Sequence, residues 1–305
     1  MLHKYHFAGY IFECNFLLSE LIPATGIPQF SIYVKSSISE AVPTVALSKN
    51  FFSDEKLQLS CFQNKHMGFV AIWNNNILEY TPPIGSDHDQ IKLNLLGSVS
   101  MLMTTTMGYV TLHACCVLVD GKAVLFCGKS GDGKSSVAAY FHSKGYTVLS
   151  DDMTPVNISN SLMAMAYPSV PRIKLSASSL SLIGKSTHGL RLINYHKQKY
   201  SLPIQFNQSQ VSYPIQAIIF LSFKSNELKF RELKGWITKS ELKNHIYRKK
   251  MFAKHHNKRV LSQMTFKLIS DIPMYSLSRH KDEEISPDSF IYVEQKLLKI
   301  SSKSY

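Results

Sequence analysis

The stretch Ala123-Val124-Leu125-Phe126-Cys127-Gly128-Lys129-Ser130-Gly131-Asp132-Gly133-Lys134-Ser135-Ser136, with Val148-Leu149-Ser150-Asp151-Asp152 shortly after it, decides how this chain is read. A β-type apolar run leads into a loop that fits G-x-x-x-x-G-K-S/T at every required position, and a helix-type run follows. Glycines at 128, 131 and 133 let the backbone turn tightly, so its N–H groups can converge on phosphate oxygens. The helix beyond points its positive end at the same place. In this pattern Lys134 reaches the outer phosphates and the Ser135 hydroxyl ligates magnesium. Residues 128–136 therefore read as a nucleotide site. The plain alternative, a glycine-rich turn, would usually lack the flanking strand and helix.

A phosphate loop serves ATPases, GTPases and kinases alike, so it does not by itself name a reaction. Three more residues sharpen the reading. The run Thr147–Ser150 reads as a strand carrying Asp151 and Asp152 at its C-terminal end, where open α/β sheets bind ligands. Phosphoryl transfer needs a metal against the phosphate charge and a group that orients or deprotonates the nucleophile. Two adjacent carboxylates can divide those tasks. His113, in Leu112-His113-Ala114, precedes the loop strand and could hold one carboxylate or share its proton. Each part has a bland counterpart, since aspartate pairs cap turns and single histidines sit satisfied in cores. The combination favours chemistry.

The 305 residues suffice for one large or two modest domains, and 45% hydrophobic content is that of a globular protein. Five cysteines (Cys14, Cys61, Cys115, Cys116, Cys127) show no C-x-x-C spacing, which argues against a disulfide framework or a zinc site. Met1-Leu2-His3-Lys4-Tyr5-His6-Phe7 has no signal-peptide core, and no apolar run is long enough to span a bilayer. The expectation is a cytoplasmic protein with no membrane partner. The net charge of +13 favours anionic partners, and part of it lies in Lys243, Arg248, Lys249, Lys250, Lys254, Lys258 and Arg259, with His245, His255 and His256 between. Thr238–Arg259 reads as a helix with a loose apolar stripe. It is either a solvated basic face or a docking surface for an acidic substrate, and no nucleic-acid motif accompanies it.

Residues 1–86 read as β-rich, with strand-like runs Tyr5–Phe12, Phe30–Val34, Leu57–Phe62, Phe69–Trp73 and Ile77–Tyr80. Asn74-Asn75-Asn76 is a hairpin turn, and Pro82-Pro83 and Gly85 end the pattern. From Asp87, helical spacing of Ile91, Leu95, Val99 and Leu102 opens a second part, residues 87–305. Gly108 ends that run. Val110–Val119 reads as a strand, Asp120-Gly121 as a hairpin turn and Ser135–Ser143 as a helix closed by Gly145. Met153–Asn157 and Leu162–Ala166 flank Ser159-Asn160 as a hairpin. The segment from Pro168 to Tyr200 reads as loop-rich. Gln216–Leu221 and Met274–Leu277 read as strands and Ser286–Ile300 as a terminal helix.

The order Leu-His-Ala, Gly-Lys-Ser-Gly-Asp-Gly-Lys-Ser, Leu-Ser-Asp-Asp over Thr111–Asp152 resembles the catalytic domain of HPr kinase/phosphorylase. A looser likeness runs through Tyr167-Pro168-Ser169-Val170-Pro171-Arg172-Ile173-Lys174-Leu175. The chain also resembles the HPr-kinase-like proteins of peptide natural-product pathways, including lasso-peptide kinases. The resemblance implies an α/β, PEP-carboxykinase-like phosphate-loop domain, preceded here by a smaller β-rich part. It implies ATP and Mg2+ as cofactors and a serine of a peptide or small protein as acceptor. Homo-oligomers occur in that family. Gly128 to Ser135 would hold the phosphates, and Ser135 with Asp151 the metal. Asp152 would accept the serine proton with Asp151 in support, or the reverse, and His113 matches the active-site histidine. Arg172 and Lys174 either steady the transferring phosphate or serve a structural or solvated role. The Glu-Ile-Arg-Gly-like segment of the reverse, phosphorolytic reaction is not visible, and the metal-binding glutamate has no clear counterpart. An ATPase or nucleotide-gated switch, and a small-molecule kinase, are the alternatives.

Overall fold

The computed structural model describes residues 1–158, 163–194, 198–205, 211–222, 227–250, 253, 258–278 and 287–301. It is a mixed α/β protein with several sheets. The chain forms two compact units, Met1–Tyr109 with Lys250–Val260, and Val110–Lys249 with Leu261–Tyr305. Among the described residues no helix is long and apolar enough to cross a membrane.

The first unit holds β1 (His3–Phe7), β2 (Tyr10–Cys14), β3 (Ile22–Pro23), β4 (Phe30–Val34), β5 (Phe51–Asp54), β6 (Leu59–Asn64), β7 (Gly68–Trp73) and β8 (Ile77–Thr81). They make one sheet in the order β3-β1-β2-β4-β8-β7-β6-β5. The apolar run Tyr5–Phe12, expected as one strand, is two, because Ala8 (φ 50°) and Gly9 (φ 84°) turn the chain back between β1 and β2. Asn74 (φ 53°) and Asn75 (φ 60°) make the expected turn between β7 and β8. Helices α1 (Thr44–Leu47), α2 (His88–Asn94) and α3 (Ser100–Thr106) belong to the same unit. Asp87 caps α2 by accepting the Gln90 N–H at 2.7 Å, satisfying one free amide of the first turn. A π-helical segment, Leu95–Val99, links α2 to α3.

The second unit contains β9 (Val110–Leu112), β10 (Ala114–Val119), β11 (Lys122–Cys127), α4 (Lys134–Ser143), β12 (Val148–Ser150), β13 (Thr154–Ile158) and β14 (Ala164–Ala166). It continues with β15 (Arg172–Leu175), α5 (Ala177–Ser181), β16 (Arg191–Asn194), β17 (Lys199–Pro203), β18 (Tyr213–Ser222), β19 (Lys229–Glu232), α6 (Gly235–His245), α7 (Lys258–Asp271, in this unit from Leu261), β20 (Met274–Ser278) and α8 (Pro287–Ser301). The large sheet runs β12-β10-β11-β18-β14-β13-β9, with β20 on β18 and β19 on β20. Asp120 (φ 50°) and Gly121 (φ 74°) turn β10 into β11, as the dipeptide requires.

Three expectations are corrected. Val110–Val119 is not one strand but breaks at His113, with β9 pairing β13 and β10 pairing β11 and β12. The segment read as loop-rich carries α5 and the three-stranded sheet β15-β17-β16. The helix expected over Thr238–Arg259 stops at His245, where extended Ile246 bridges Leu112. Met251, Phe252, Lys254, His255 and His256 lie outside the described residues, as does the turn Ser159-Asn160.

Helix α4 buries Val137, Ala138, Ala139, Tyr140 and Phe141 in the core beside Val124, Phe126 and Ile219. Gly145 (φ 89°) ends it, its N–H bonding the His142 carbonyl at 3.0 Å. Glu294 of α8 accepts the Tyr140 hydroxyl at 3.0 Å and the Tyr146 hydroxyl at 2.9 Å, so one carboxylate secures the terminal helix to α4 and its C-terminal turn. Glu294→Ala strands both phenols and is expected to cost about 1–3 kcal/mol. Urea unfolding checks it, with Glu294→Gln retaining most of the stability.

Candidate active site

Strand direction brings the site together. Strands β10 and β11 are antiparallel, as are β10 and β12, while β11 and β18 are parallel. The end of β11, the end of β12, the end of β18 and the start of β10 therefore share one edge of the sheet. The glycine-rich loop 128–136 leaves the first, Asp151 and Asp152 the second, and His113 enters the last. Thr154 Oγ1 bonds the Ala114 carbonyl at 3.0 Å and lies 2.6 Å from Ser150 Oγ, tying the turn after the aspartates to the start of β10.

Within the loop, Gly131 (φ 98°) and Gly133 (φ 90°) occupy left-handed backbone that suits glycine. Gly128 is required for space instead, since a Cβ there would stand 2.9 Å from Asp132 Cβ and 3.4 Å from Leu221 Cβ. The Lys129 N–H donates to Asp132 Oδ2, and the Asp132 N–H to the Lys129 carbonyl at 3.1 Å. Lys129, Ser130 and Gly131 are exposed, and Ser136 Oγ lies 3.1 Å from Ser179 Oγ of α5. Lys134 is 8% exposed, and its Nζ donates to the Gly128 carbonyl at 2.7 Å and the Lys129 carbonyl at 3.0 Å.

The two aspartates differ in environment. Asp151 is buried, and its Oδ2 accepts the Lys174 N–H at 2.9 Å. Its Oδ1 is buried without a hydrogen-bond partner. Burial pushes the Asp151 pKa up, while the Lys174 charge and the Ser135 hydroxyl pull the other way. The Asp152 side chain is 42% exposed and meets Lys174 Nζ at 2.6 Å. That ammonium holds the Asp152 pKa down to about 2. Neighbours pushed apart in this way are the usual mark of divided roles. Lys174 thus engages both aspartates, one by its backbone and one by its charge. Arg172, by contrast, is buried and not a solvated cation.

Sequence reasoning missed His245 and Tyr247. His245 closes α6, is buried, and stacks on Phe220 with ring centroids 5.4 Å apart. Burial, with the charges of Lys134, His113 and Lys129, lowers its pKa to about 4, and the side chain is not on a solvated face. Tyr247 packs edge-on against His113. Neither follows a local motif, and only the pairing of Ile246 with Leu112 brings them in.

His245 has a pH consequence. Its ordinary value is 6.5 and its folded value about 4, so between these the unfolded chain binds the proton more readily. Stability conferred above pH ~6.5 is lost as pH falls toward ~4, by about 1–3 kcal/mol with Glu241 at 3.9 Å offsetting part. Urea unfolding at stepped pH should show this slope, reduced in His245→Gln.

No family model matches the chain. Over 164 residues it is 27% identical to the HPr kinase/phosphorylase of Mycoplasmopsis pulmonis (strain UAB CTIP), a match covering 52% of this chain and 48% of that protein. The chain thus spans about half the length of this curated relative. The solved HPr(Ser) kinase/phosphatase from Coxiella burnetii is similar at 14% identity and a TM-score of 0.34, over 64% of this chain and 94% of that one. Over the matched half, the sequence similarity supports an HPr-kinase-like family for this chain.

Proposed function

We propose that this chain is an ATP- and magnesium-dependent kinase that transfers the γ-phosphate to a serine hydroxyl of a peptide or small protein. The observation that carries the reading is the convergence at one sheet edge of the phosphate loop, Asp151 with its unpartnered Oδ1, and ionised Asp152. The unpartnered oxygen fits a cation, since a buried carboxylate oxygen otherwise left bare is costly. Ser135 and Asp151 would hold a magnesium ion there, together with phosphate oxygens and water. The ion would supply neutralisation of the phosphate charge.

The chain's own groups do the rest. Loop amides and Lys134 bind and stabilise the β- and γ-phosphates. Asp152 orients the acceptor hydroxyl and takes its proton. A carboxylate with a pKa near 2 is a weak base, which suits a loose transition state in which the hydroxyl proton leaves late. Lys174 keeps that carboxylate charged and aimed. The reverse phosphorolytic reaction is not included in the proposal, because its signature segment has no counterpart. All five cysteines are buried free thiols, which suits the reducing cytoplasm to which we assign the protein.

ADP formation tests the reading. It should require magnesium and rise when serine-bearing peptides or host proteins are added. ADP formed at the same rate with or without any acceptor would make the protein an ATPase instead.

A further inference from the structure

The segment after α6 is built against His113. The His113 N–H bonds the His245 carbonyl at 2.8 Å, and the Tyr247 N–H bonds the Thr111 carbonyl at 2.8 Å. Between them Ile246 bridges Leu112 in antiparallel register. Residues 245–247 thus lie bonded alongside residues 111–113, where β9 gives way to β10. The Tyr247 ring meets the His113 ring edge-on, centroids 5.0 Å apart at 78°. Tyr247 is itself held, because Arg248 Nε donates to its hydroxyl at 2.8 Å and the guanidinium carbon lies 5.3 Å from its ring centre. Arg248 adopts φ 45° to do so, a left-handed backbone uncommon for a bulky residue.

We propose that Tyr247, clamped by Arg248, is a positioning residue that fixes the His113 ring for phosphoryl transfer at Asp152; this rests on the kinase reading above. The titratable groups whose charges act on His113 are Asp152 at the end of β12, Lys134 of α4 and Lys174 of β15, and His113 acts in turn on His245 of α6. A ring free to rotate among two lysine cations, the neutral His245 ring and one carboxylate would meet Asp152 only part of the time. The Tyr247 edge removes that freedom on one side, while the backbone bond to His245 secures the other end of the residue.

Two variants and two readouts test this. Tyr247→Phe keeps the ring contact but loses the Arg248 bond to the hydroxyl, and is expected to lower kcat by less than Tyr247→Ala does. Tyr247→Ala is expected to lower kcat by about 10- to 100-fold, the scale of a misplaced catalytic group, with the KM for ATP unchanged. In the same variant the His113 ring signal, followed by NMR across pH, should titrate closer to an ordinary histidine, because water gains access to a ring now held low by burial. Wild-type transfer with Tyr247→Ala unchanged in both kcat and His113 titration would overturn the positioning role alone. So would a loss that only follows reduced folding, with the His113 titration of the folded fraction unmoved. No transfer by the wild type under any acceptor would overturn the kinase reading itself.

Discussion

Asp152→Asn is expected to bind ATP as the wild type does and to transfer phosphate about 10²–10⁴-fold more slowly, the range for losing a general base. The side chain stands at the end of β12, partly open to solvent, with Lys174 Nζ 2.6 Å away. Asparagine keeps the size and a carbonyl oxygen for Lys174, so the edge of the site should keep its shape. It cannot take up a proton, and it removes the negative charge that attracts the acceptor hydroxyl's hydrogen. The phosphate loop, on β11 and α4, does not depend on this carboxylate. Calorimetric ATP affinity and single-turnover transfer, measured on the same preparation, separate the two effects. Asp151→Asn should behave differently, raising the magnesium requirement, because its unpartnered oxygen is the one assigned to the metal.

Lys134→Ala is expected to reduce transfer by at least about 10²–10³-fold and to weaken ATP binding as well. Its ammonium is buried at the base of the loop and bridges the carbonyls of Gly128 and Lys129. Removing it takes away a buried cation at the start of α4 and also leaves two carbonyls to find other donors. Both effects act where phosphate charge must be neutralised in a low-dielectric setting, where each donor counts for more than in water. Lys134→Arg should not restore activity, because a planar fork needs more room than a point charge in that space. Transfer kinetics and ATP titration measure both parts.

What could be read from the sequence was local chemistry. Asp120-Gly121 and Asn74-Asn75 specify their turns through positive φ, and the sheet turns there. The glycines form the loop before α4, which Lys134 and Ser135 open, and the strand before Asp151 brings the aspartates to the same edge. What escaped depended on distant pairing. The run from Val110 to Val119 is β-type on both sides of His113 and holds no glycine or proline, so no turn residue marks His113 as the break between two strands. The sheet β15-β17-β16 is short and polar and offers little alternation. For Lys174 the sequence leaves a phosphate contact and a structural or solvated role open, and its pairing with Asp152 follows only from the placement of β15. His245 and Tyr247 sit in a basic stretch that suggested a continuous helix, yet extended Ile246 ends it to pair with Leu112.

The most direct measurement follows the γ-phosphate. Wild type and Asp152→Asn are incubated with magnesium and γ-labelled ATP, beside serine-bearing peptides and host proteins. Label carried to a serine by the wild type, and lost in the variant, is the predicted result. Label released only as free phosphate at a rate indifferent to acceptor, or a variant that transfers as fast as the wild type, would contradict the account.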